Sequence, residues 1–101
     1  MITKAKYQII STDIFEVELE GILNYYRQNK EFIKKFLEMY YTKLEELRLF
    51  PKANPEYKMD LPERYRVCIM KQYKIYYIVE NDYIILNHII HGSRDETKII
   101  K

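Results

Sequence analysis

YRVCIMKQYKIYYIVENDYIILNHIIHGSRD, residues 65–95, is the stretch of the chain that decides the fold. Its apolar residues are mainly Ile, Val and Tyr, which strands favour, and they predict three consecutive strands. The second and third, YKIYYIVE and YIILNHII, are separated only by Asn81 and Asp82. Both residue types tolerate the positive φ that a two-residue hairpin turn requires. We therefore expect three antiparallel strands.

The turn at Asn81 and Asp82 also divides the side chains of the last two strands between two faces. The more apolar set should meet the rest of the core: Tyr73, Ile75, Tyr77 and Val79 with Ile84, Leu86, His88 and Ile90. The other set should lie on an open face: Lys74, Tyr76 and Ile78 with Ile85, Asn87, Ile89 and His91. On this pattern His88 is a buried, hydrogen-bonded core histidine, and His91 is the more exposed one.

The length of the turn between the first two of these strands, near Lys71 and Gln72, is not fixed by the sequence. A three-residue turn would place Arg66 beside Lys74 on the open face, and a two-residue turn would not. The segment 65–79 contains Arg66, Lys71 and Lys74 and no acid. Positive charge should therefore concentrate on the sheet.

The first half of the chain predicts one short strand, at residues 4–10, and two helices. Asp13 with Glu16 three residues later indicates the start of the first helix, and the run Gln28-Asn29-Lys30 its end. The second helix covers residues 31–50 and is stopped by Pro51. Apolar residues recur at helical spacing in both: Phe15, Leu19, Ile22, Leu23 and Tyr26, then Phe32, Ile33, Phe36, Leu37, Tyr40, Leu44 and Leu47.

The short break between the helices makes them an antiparallel hairpin that needs a sheet to cover its apolar side. Residues 51–64 hold all three prolines of the chain and predict a loop from the helices to the sheet. The order β-α-α-β-β-β gives an α+β fold, with a helical hairpin on one face of a small antiparallel sheet. At 101 residues, the chain forms a single domain, residues 1–101.

Composition excludes several classes of function. No apolar run is long enough to span a membrane and the first residues lack a signal peptide's apolar region, so we expect a cytoplasmic protein. The lone Cys68 cannot form an internal disulfide and is expected to be a small strand side chain. Two His and one Cys show no metal-ligand spacing, and two glycines cannot build a phosphate loop or a nucleophile elbow. We expect no metal and no cofactor.

The element order, together with YRVCIMKQYKIYYIVE, NDYIILNHII and HGSRD, resembles the RelE/ParE superfamily of toxins from bacterial toxin-antitoxin modules. The resemblance covers nearly the whole chain. It implies a growth-inhibiting toxin neutralised by a cognate antitoxin, whose C-terminal segment would wrap the toxin as helix and extended strand. RelE-like members cleave messenger RNA on the ribosome, whereas ParE-like members inhibit DNA gyrase and are not nucleases.

The resemblance carries over only in part to the RNase branch. Arg66, Lys74 and Arg94 occupy basic positions of its pattern and could stabilise the charge that develops when a ribose 2′-OH attacks its own phosphate. His91 could act as general acid or base. Such an enzyme would be a metal-independent endoribonuclease with a basic cluster on the sheet as its active site.

Two features depart from the nuclease pattern. Cys68 stands where RelE-like nucleases tend to have a second lysine, and the C-terminal ETKIIK lacks the tyrosine that they often place there. HGSRD instead resembles the HGxRD ending of ParE-like and unclassified members. We therefore place a ParE-like, non-nucleolytic toxin above a ribosome-dependent mRNA interferase, which leaves open whether the protein is an enzyme.

The partners that follow from these alternatives are an antitoxin and either DNA gyrase or the ribosome with its messenger. A third alternative is a non-catalytic basic domain that binds RNA through phosphate charge alone. An uncovered sheet face and edge would favour a homodimer or capture of an antitoxin strand.

Overall fold

A computed structural model of the chain describes residues 7–56 and 64–92. Their elements follow the predicted order β-α-α-β-β-β: β1 (Gln8–Ser11), α1 (Asp13–Tyr25), α2 (Lys30–Leu49), β2 (Arg66–Met70), β3 (Tyr73–Glu80) and β4 (Tyr83–His91). Part of the first predicted strand (4–6), part of the predicted loop (57–63) and Arg94 lie outside the described residues. No helix within the described ranges is long and apolar enough to cross a membrane.

Both helices begin at a polar side chain that accepts a backbone hydrogen bond. Thr12 caps α1, because its Oγ1 accepts from the N–H of Phe15 at 3.1 Å. Asp13 is thus the first helical residue, one position after the cap, and its negative charge is favourable at the positive end of the helix dipole. Asn29 caps α2 by accepting from the N–H of Phe32 at 3.0 Å.

The strand order in the sheet is β1-β4-β3-β2. β3 and β4 form the predicted hairpin: Glu80 pairs with Tyr83, and Asn81 takes a positive φ of 54° between them. The three C-terminal strands are antiparallel, as predicted. β1, however, pairs parallel to β4, so the four-stranded sheet is mixed and not purely antiparallel.

The turn between β2 and β3 consists of two residues, Lys71 and Gln72. Met70 pairs with Tyr73 across it, and Lys71 adopts a positive φ of 56°. This settles the register that the sequence left open.

A β-bulge in β4 changes which of its side chains face the helices. Tyr76 pairs with His88, but the next residue, Tyr77, pairs with Leu86, so Asn87 is an extra residue in β4. The alternation therefore inverts after Leu86. The predicted facial assignment is correct up to that residue and wrong beyond it: Ile89 joins the core under the helices, and His88 lies opposite Tyr76.

The main core lies between the helices and the sheet, where Phe15 of α1 and Phe36 of α2 meet Ile75, Tyr77 and Leu86 of the sheet. The other face of the sheet has a smaller cluster of its own. Tyr65, Tyr76 and Ile90 are buried there against Val67 and Ile78. The expectation of an open face is therefore wrong for this part of the sheet, since Tyr76 has no exposed surface.

Candidate functional site

Arg66 holds the segment that leads away from α2. Its guanidinium Nη1 donates to the backbone carbonyl oxygens of Lys52 and Asn54. Tyr77, which pairs with Arg66 in the sheet, supports the same segment: its hydroxyl donates to the Pro51 carbonyl oxygen at 2.7 Å and accepts from Asn54 Nδ2 at 3.2 Å. The Arg66 guanidinium therefore makes structural hydrogen bonds and is not a free binding group.

Lys74 lies on the opposite face of the sheet from Arg66. The two-residue turn pairs Arg66 with Tyr77 and Lys74 with Ile69, and residues that alternate along a strand point to opposite faces. In the neighbouring strand Lys74 pairs with Ile90. The basic cluster predicted from the sequence is therefore not assembled by these two residues.

His91 is half-buried on the helix-covered face, where it pairs with Tyr73. The two rings meet edge to face, with centroids 5.6 Å apart. Tyr73 and Tyr77, the partners of His91 and Arg66, are four residues apart on β3, which is about 13 Å along a strand. His91 and Arg66 thus share a face but lie toward different ends of the sheet.

A groove of about 620 Å³ opens between α1 and the C-terminal half of β4. Its lining is mostly aromatic and aliphatic, with one carboxylate and one imidazole: Glu18, Gly21, Ile22, Tyr25, Tyr26, Tyr73, Ile89, Ile90 and His91. These lining residues include neither Lys nor Arg. The groove therefore suits an apolar segment better than a phosphate group.

Tyrosine and phenylalanine rings build one wall of the groove and continue behind it. Tyr26 stacks on Phe32 with centroids 3.7 Å apart, and Phe36 meets Tyr73 edge to face at 5.6 Å. Burial, with a hydrogen bond to Tyr26, raises the pKa of Tyr73 to about 12. The Tyr73 hydroxyl therefore keeps its proton well into the alkaline range.

Glu18 closes the edge of β4 where β1 stops. The last β1 pair joins Ser11 to Leu86, and beyond it the Glu18 carboxylate accepts from the N–H of Ile89 at 3.1 Å. His88 Nδ1 lies 3.2 Å from both oxygens of the same carboxylate. His88 is buried and hydrogen-bonded, as predicted.

The role of Glu18 is not predictable from the sequence, because it depends on the bulge at Asn87. If the side chains of β4 alternated without a break, His88 would lie on the helix-covered face. The sequence would then give no reason to expect a hydrogen bond from β4 to a side chain of α1. No glycine or proline marks the bulge in the sequence. Glu18 was therefore visible only as one of several acids in α1.

Within the described residues, no group of three or more His, Cys, Asp or Glu side chains could hold a metal ion. Cys68 is buried, and burial raises the pKa of its thiol to about 11. It is a core side chain of β2, as predicted, and its sulfur is poorly suited to act as a thiolate nucleophile.

Two helices covering one face of a mixed four-stranded sheet, in the order β-α-α-β-β-β, define the RelE/ParE-like class of small α+β domains. The model of one family, described as the ParE toxin of the type II toxin-antitoxin system parDE, matches residues 9–96. The chain belongs to this family.

A solved structure described as the chromosomal ParDE TA system from P. aeruginosa is similar to this fold, with a TM-score of 0.68. The alignment covers 85% of this chain and 96% of that one at 13% identity, so it supports the common fold. Among curated protein sequences, none matches the chain. The superfamily and the fold class indicated by the sequence are both confirmed.

Proposed function

We propose that this chain is a toxin that arrests growth by binding DNA gyrase, without cleaving RNA, and that a cognate antitoxin neutralises it. Membership of the ParE toxin family supports the toxin class. The observation that carries the choice of mechanism is the separation of Arg66 from Lys74 on opposite faces of the sheet. Gyrase acts in the cytoplasm, and we place the toxin there too.

Cleavage of RNA by its own 2′-OH needs cations and a proton-transfer group that converge on one phosphate. Here Arg66 is engaged by two backbone carbonyls, Lys74 lies on the other side of the sheet, and His91 lines a groove without a basic side chain. Arg66, Lys74 and His91 therefore do not form one phosphate site. This arrangement favours inhibition by binding over catalysis.

The groove beside α1 is the candidate binding site for the antitoxin. It is lined by aliphatic and aromatic side chains, and it borders the part of β4 that extends beyond β1. An antitoxin segment in this groove could bury its apolar side chains against Tyr26 and Ile89. Concave apolar surfaces of this kind accept amphipathic helices and extended segments.

The test compares two activities of the purified chain at concentrations that arrest growth. Gyrase supercoiling is measured with and without the antitoxin, and messenger ends are mapped by primer extension in a translation reaction with a naked-RNA control. We expect loss of supercoiling, restored by antitoxin, with intact messenger.

Lys74→Ala and its neighbour Lys71→Ala serve as a matched pair in the messenger assay. Ribosome-dependent cuts that disappear in Lys74→Ala but persist in Lys71→Ala would overturn the proposal in favour of an mRNA interferase. Binding of RNA with a steep salt dependence, without cuts and without gyrase inhibition, would overturn it in favour of a non-catalytic RNA-binding domain.

A further inference from the structure

A small cavity of about 110 Å³ lies between the first half of α2 and the turn from β2 to β3. Its lining consists of residues 71–73 and of four α2 residues that share one helix face: Phe32, Lys35, Phe36 and Met39. We call this space the α2 cavity. Among the described residues, its lining and that of the groove beside α1 share only Tyr73, so the two are separate sites.

The inner wall of the α2 cavity is aromatic. Phe36 and Tyr73 are 2% and 6% exposed and meet edge to face, with ring centroids 5.6 Å apart. Phe32 stacks on Phe36 at 5.9 Å, and Met39 packs against the same core, partly buried. For comparison, an engineered apolar cavity of about 150 Å³ holds one benzene molecule. The α2 cavity therefore has room for one apolar group of a ligand, such as an isobutyl group or most of a phenyl ring.

Two exposed lysines border the mouth of the α2 cavity, and its described lining residues include no acid. Lys35 pairs with Glu31 at 3.4 Å, but both side chains are 73% exposed, and a surface pair of this kind is weak. Within the described residues, no acid forms an ion pair with Lys71. A ligand with an anionic group at the mouth would therefore gain electrostatic complementarity.

The backbone of Lys71 is an independent reason to assign this residue a role. Its φ of 56° lies in the left-handed region, which lysine rarely adopts. At the corresponding position of the other hairpin the chain has Asn81, with a φ of 54°, and asparagine tolerates this region better than most residues. Backbone conformations that are unfavourable for their residue type cluster at functional sites. An asparagine or glycine would suit the turn better, so the lysine is best explained by its charge beside the cavity.

The turn that carries Lys71 is fixed by the rest of the sheet. The carbonyl oxygen of Gln72 accepts from the N–H of Gly92 at 2.7 Å, and Met70 pairs with Tyr73 across the turn. Glycine permits this approach, because a Cβ at position 92 would lie 3.3 Å from the Gln72 oxygen. The sheet therefore sets the position of the turn beside α2, and the cavity is formed before any ligand binds, as is usual for small-molecule sites.

We propose that the α2 cavity binds a small carboxylate that carries one aromatic or branched aliphatic group. The apolar group lies between Phe36 and Met39, and the carboxylate lies at the mouth beside Lys71, with Lys35 as a second cation. A protein segment fits less well, because the cavity accepts a single side chain, whereas a specific protein interface involves about 20 residues a side. The inference goes beyond the proposed function and does not depend on it, since its test uses the free chain.

The experiment is an NMR titration of the chain with phenylacetate and, in parallel, with isovalerate, which carries an isobutyl group. The methyl resonance of Met39 and the backbone amide resonance of Lys71 should shift together and saturate, with a Kd of about 1 mM or tighter for at least one of the two probes. The uncharged amide of that probe, which has nearly the same shape, should bind about threefold more weakly or worse. Acetate, which lacks the apolar group, should give no saturable shift at Met39.

Lys71→Asn removes the cation and gives the turn a residue that suits its φ. It should weaken binding of the carboxylate about threefold or more, while its melting temperature should not fall. Lys34→Asn is the matched control, because Lys34 is exposed on α2 and is not among the lining residues. This control should leave the Kd within about twofold of the wild type.

Saturable shifts at Met39 and Lys71 that weaken in Lys71→Asn, but not in Lys34→Asn, would support the proposal. Equal affinity for the carboxylate and its amide, unchanged by Lys71→Asn, would overturn it, because the cavity would then have no preference for an anion. The absence of saturable shifts with both carboxylates at about ten times that concentration, or shifts confined to residues outside the cavity, would also overturn it.

Discussion

The two edges of the sheet find hydrogen-bond partners in different ways. At the edge next to α1, which we call the α1 side, β1 pairs with the first half of β4. Beyond β1, the Glu18 carboxylate accepts the hydrogen bond of the Ile89 N–H. On the β2 side, Arg66 and Tyr77 hold residues 51–54, and Glu56 forms an isolated bridge to Arg66. The rest of β2 is an edge on which Ile69 is 64% exposed.

The surfaces beside these two edges also differ in charge. The lining of the groove at α1 is mainly apolar, and Glu18 is the one acid among the described residues in it. A cleft of about 430 Å³ beside α2 is lined instead by Lys and Glu side chains of both signs, including Lys43 and Glu46, which pair at 3.0 Å. Charges of both signs thus lie side by side at the α2 cleft, whereas α1 carries four acids and no base. If the proposed function holds, we therefore expect the antitoxin at the α1 side and not at the α2 side.

The largest expected effect concerns Glu18. Glu18→Ala should destabilise the fold by about 2–3 kcal/mol, because the N–H of Ile89 and the ring of His88 lose their acceptor in a largely buried position. Urea denaturation measures the change. Glu20→Ala, an exposed acid two residues away, is the control and should cost less than about 0.5 kcal/mol. Equal effects of the two substitutions would show that Glu18 does not stabilise the strand edge.

The role of Glu18 shows where prediction from the sequence stops. The hairpin at Asn81 follows from residue types that tolerate a positive φ, and the helices follow from apolar spacing and from Pro51. The bulge at Asn87 follows from neither, because unbroken alternation fits β4 equally well. The bulge places Ile89 in the core and His88 beside Glu18.

The predicted basic site depended on a similarly small detail. Arg66 and Lys74 would share a face after a three-residue turn and are on opposite faces after the observed turn at Lys71 and Gln72. Nothing in the two residues specifies the turn length: the φ of 56° at Lys71 is unusual for that residue type. The sequence shows that basic residues lie on these strands, but it does not show on which face of the sheet each one lies.

The second prediction tests how the β2 side is closed. Tyr77→Phe and Arg66→Ala should each cost about 1–2 kcal/mol, because each removes hydrogen bonds to residues 51–54. The double variant should cost less than the sum, since both residues hold one segment. Equilibrium unfolding gives all three values. Arg64→Ala, which removes only an exposed pair with Glu56, is the control; costs that add fully would mean that the two residues act independently.

The third prediction concerns the free energy of unfolding at alkaline pH, which depends on one buried thiol in β2 and one buried tyrosine at the groove. Burial raises the pKa of Cys68, in β2, from 9.0 to about 11, and that of Tyr73, at the groove, from 10.0 to about 12. A raised pKa means that the folded state holds its proton longer, so stability is complete below the unfolded-state pKa and falls as pH rises from there toward the folded value. Cys68 should therefore account for about 1 kcal/mol lost between pH 8 and pH 10, a range in which Tyr73 contributes less because its unfolded-state pKa is higher.

Urea unfolding at a series of pH values measures this loss in the wild type and in Cys68→Ala. The Cys68→Ala protein is less stable at pH 8 because a buried side chain is truncated, but its stability should decline less between pH 8 and pH 10. Parallel declines in the two proteins would exclude Cys68 as the group responsible.

The smallest expected effect is at Ile69, on the exposed edge of β2. Ile69→Lys should change the free energy of unfolding by no more than about 0.5 kcal/mol, because the side chain is largely exposed in the free protein. Lysine on an edge strand discourages pairing with another chain, so concentration-dependent association should decrease, which light scattering measures. If the α1 side receives the antitoxin, the same variant should bind it as tightly as the wild type does. Lost affinity in Ile69→Lys together with full affinity in Tyr25→Ala would reverse the comparison. The antitoxin would then pair with the exposed edge of β2 and would not bind in the groove beside α1.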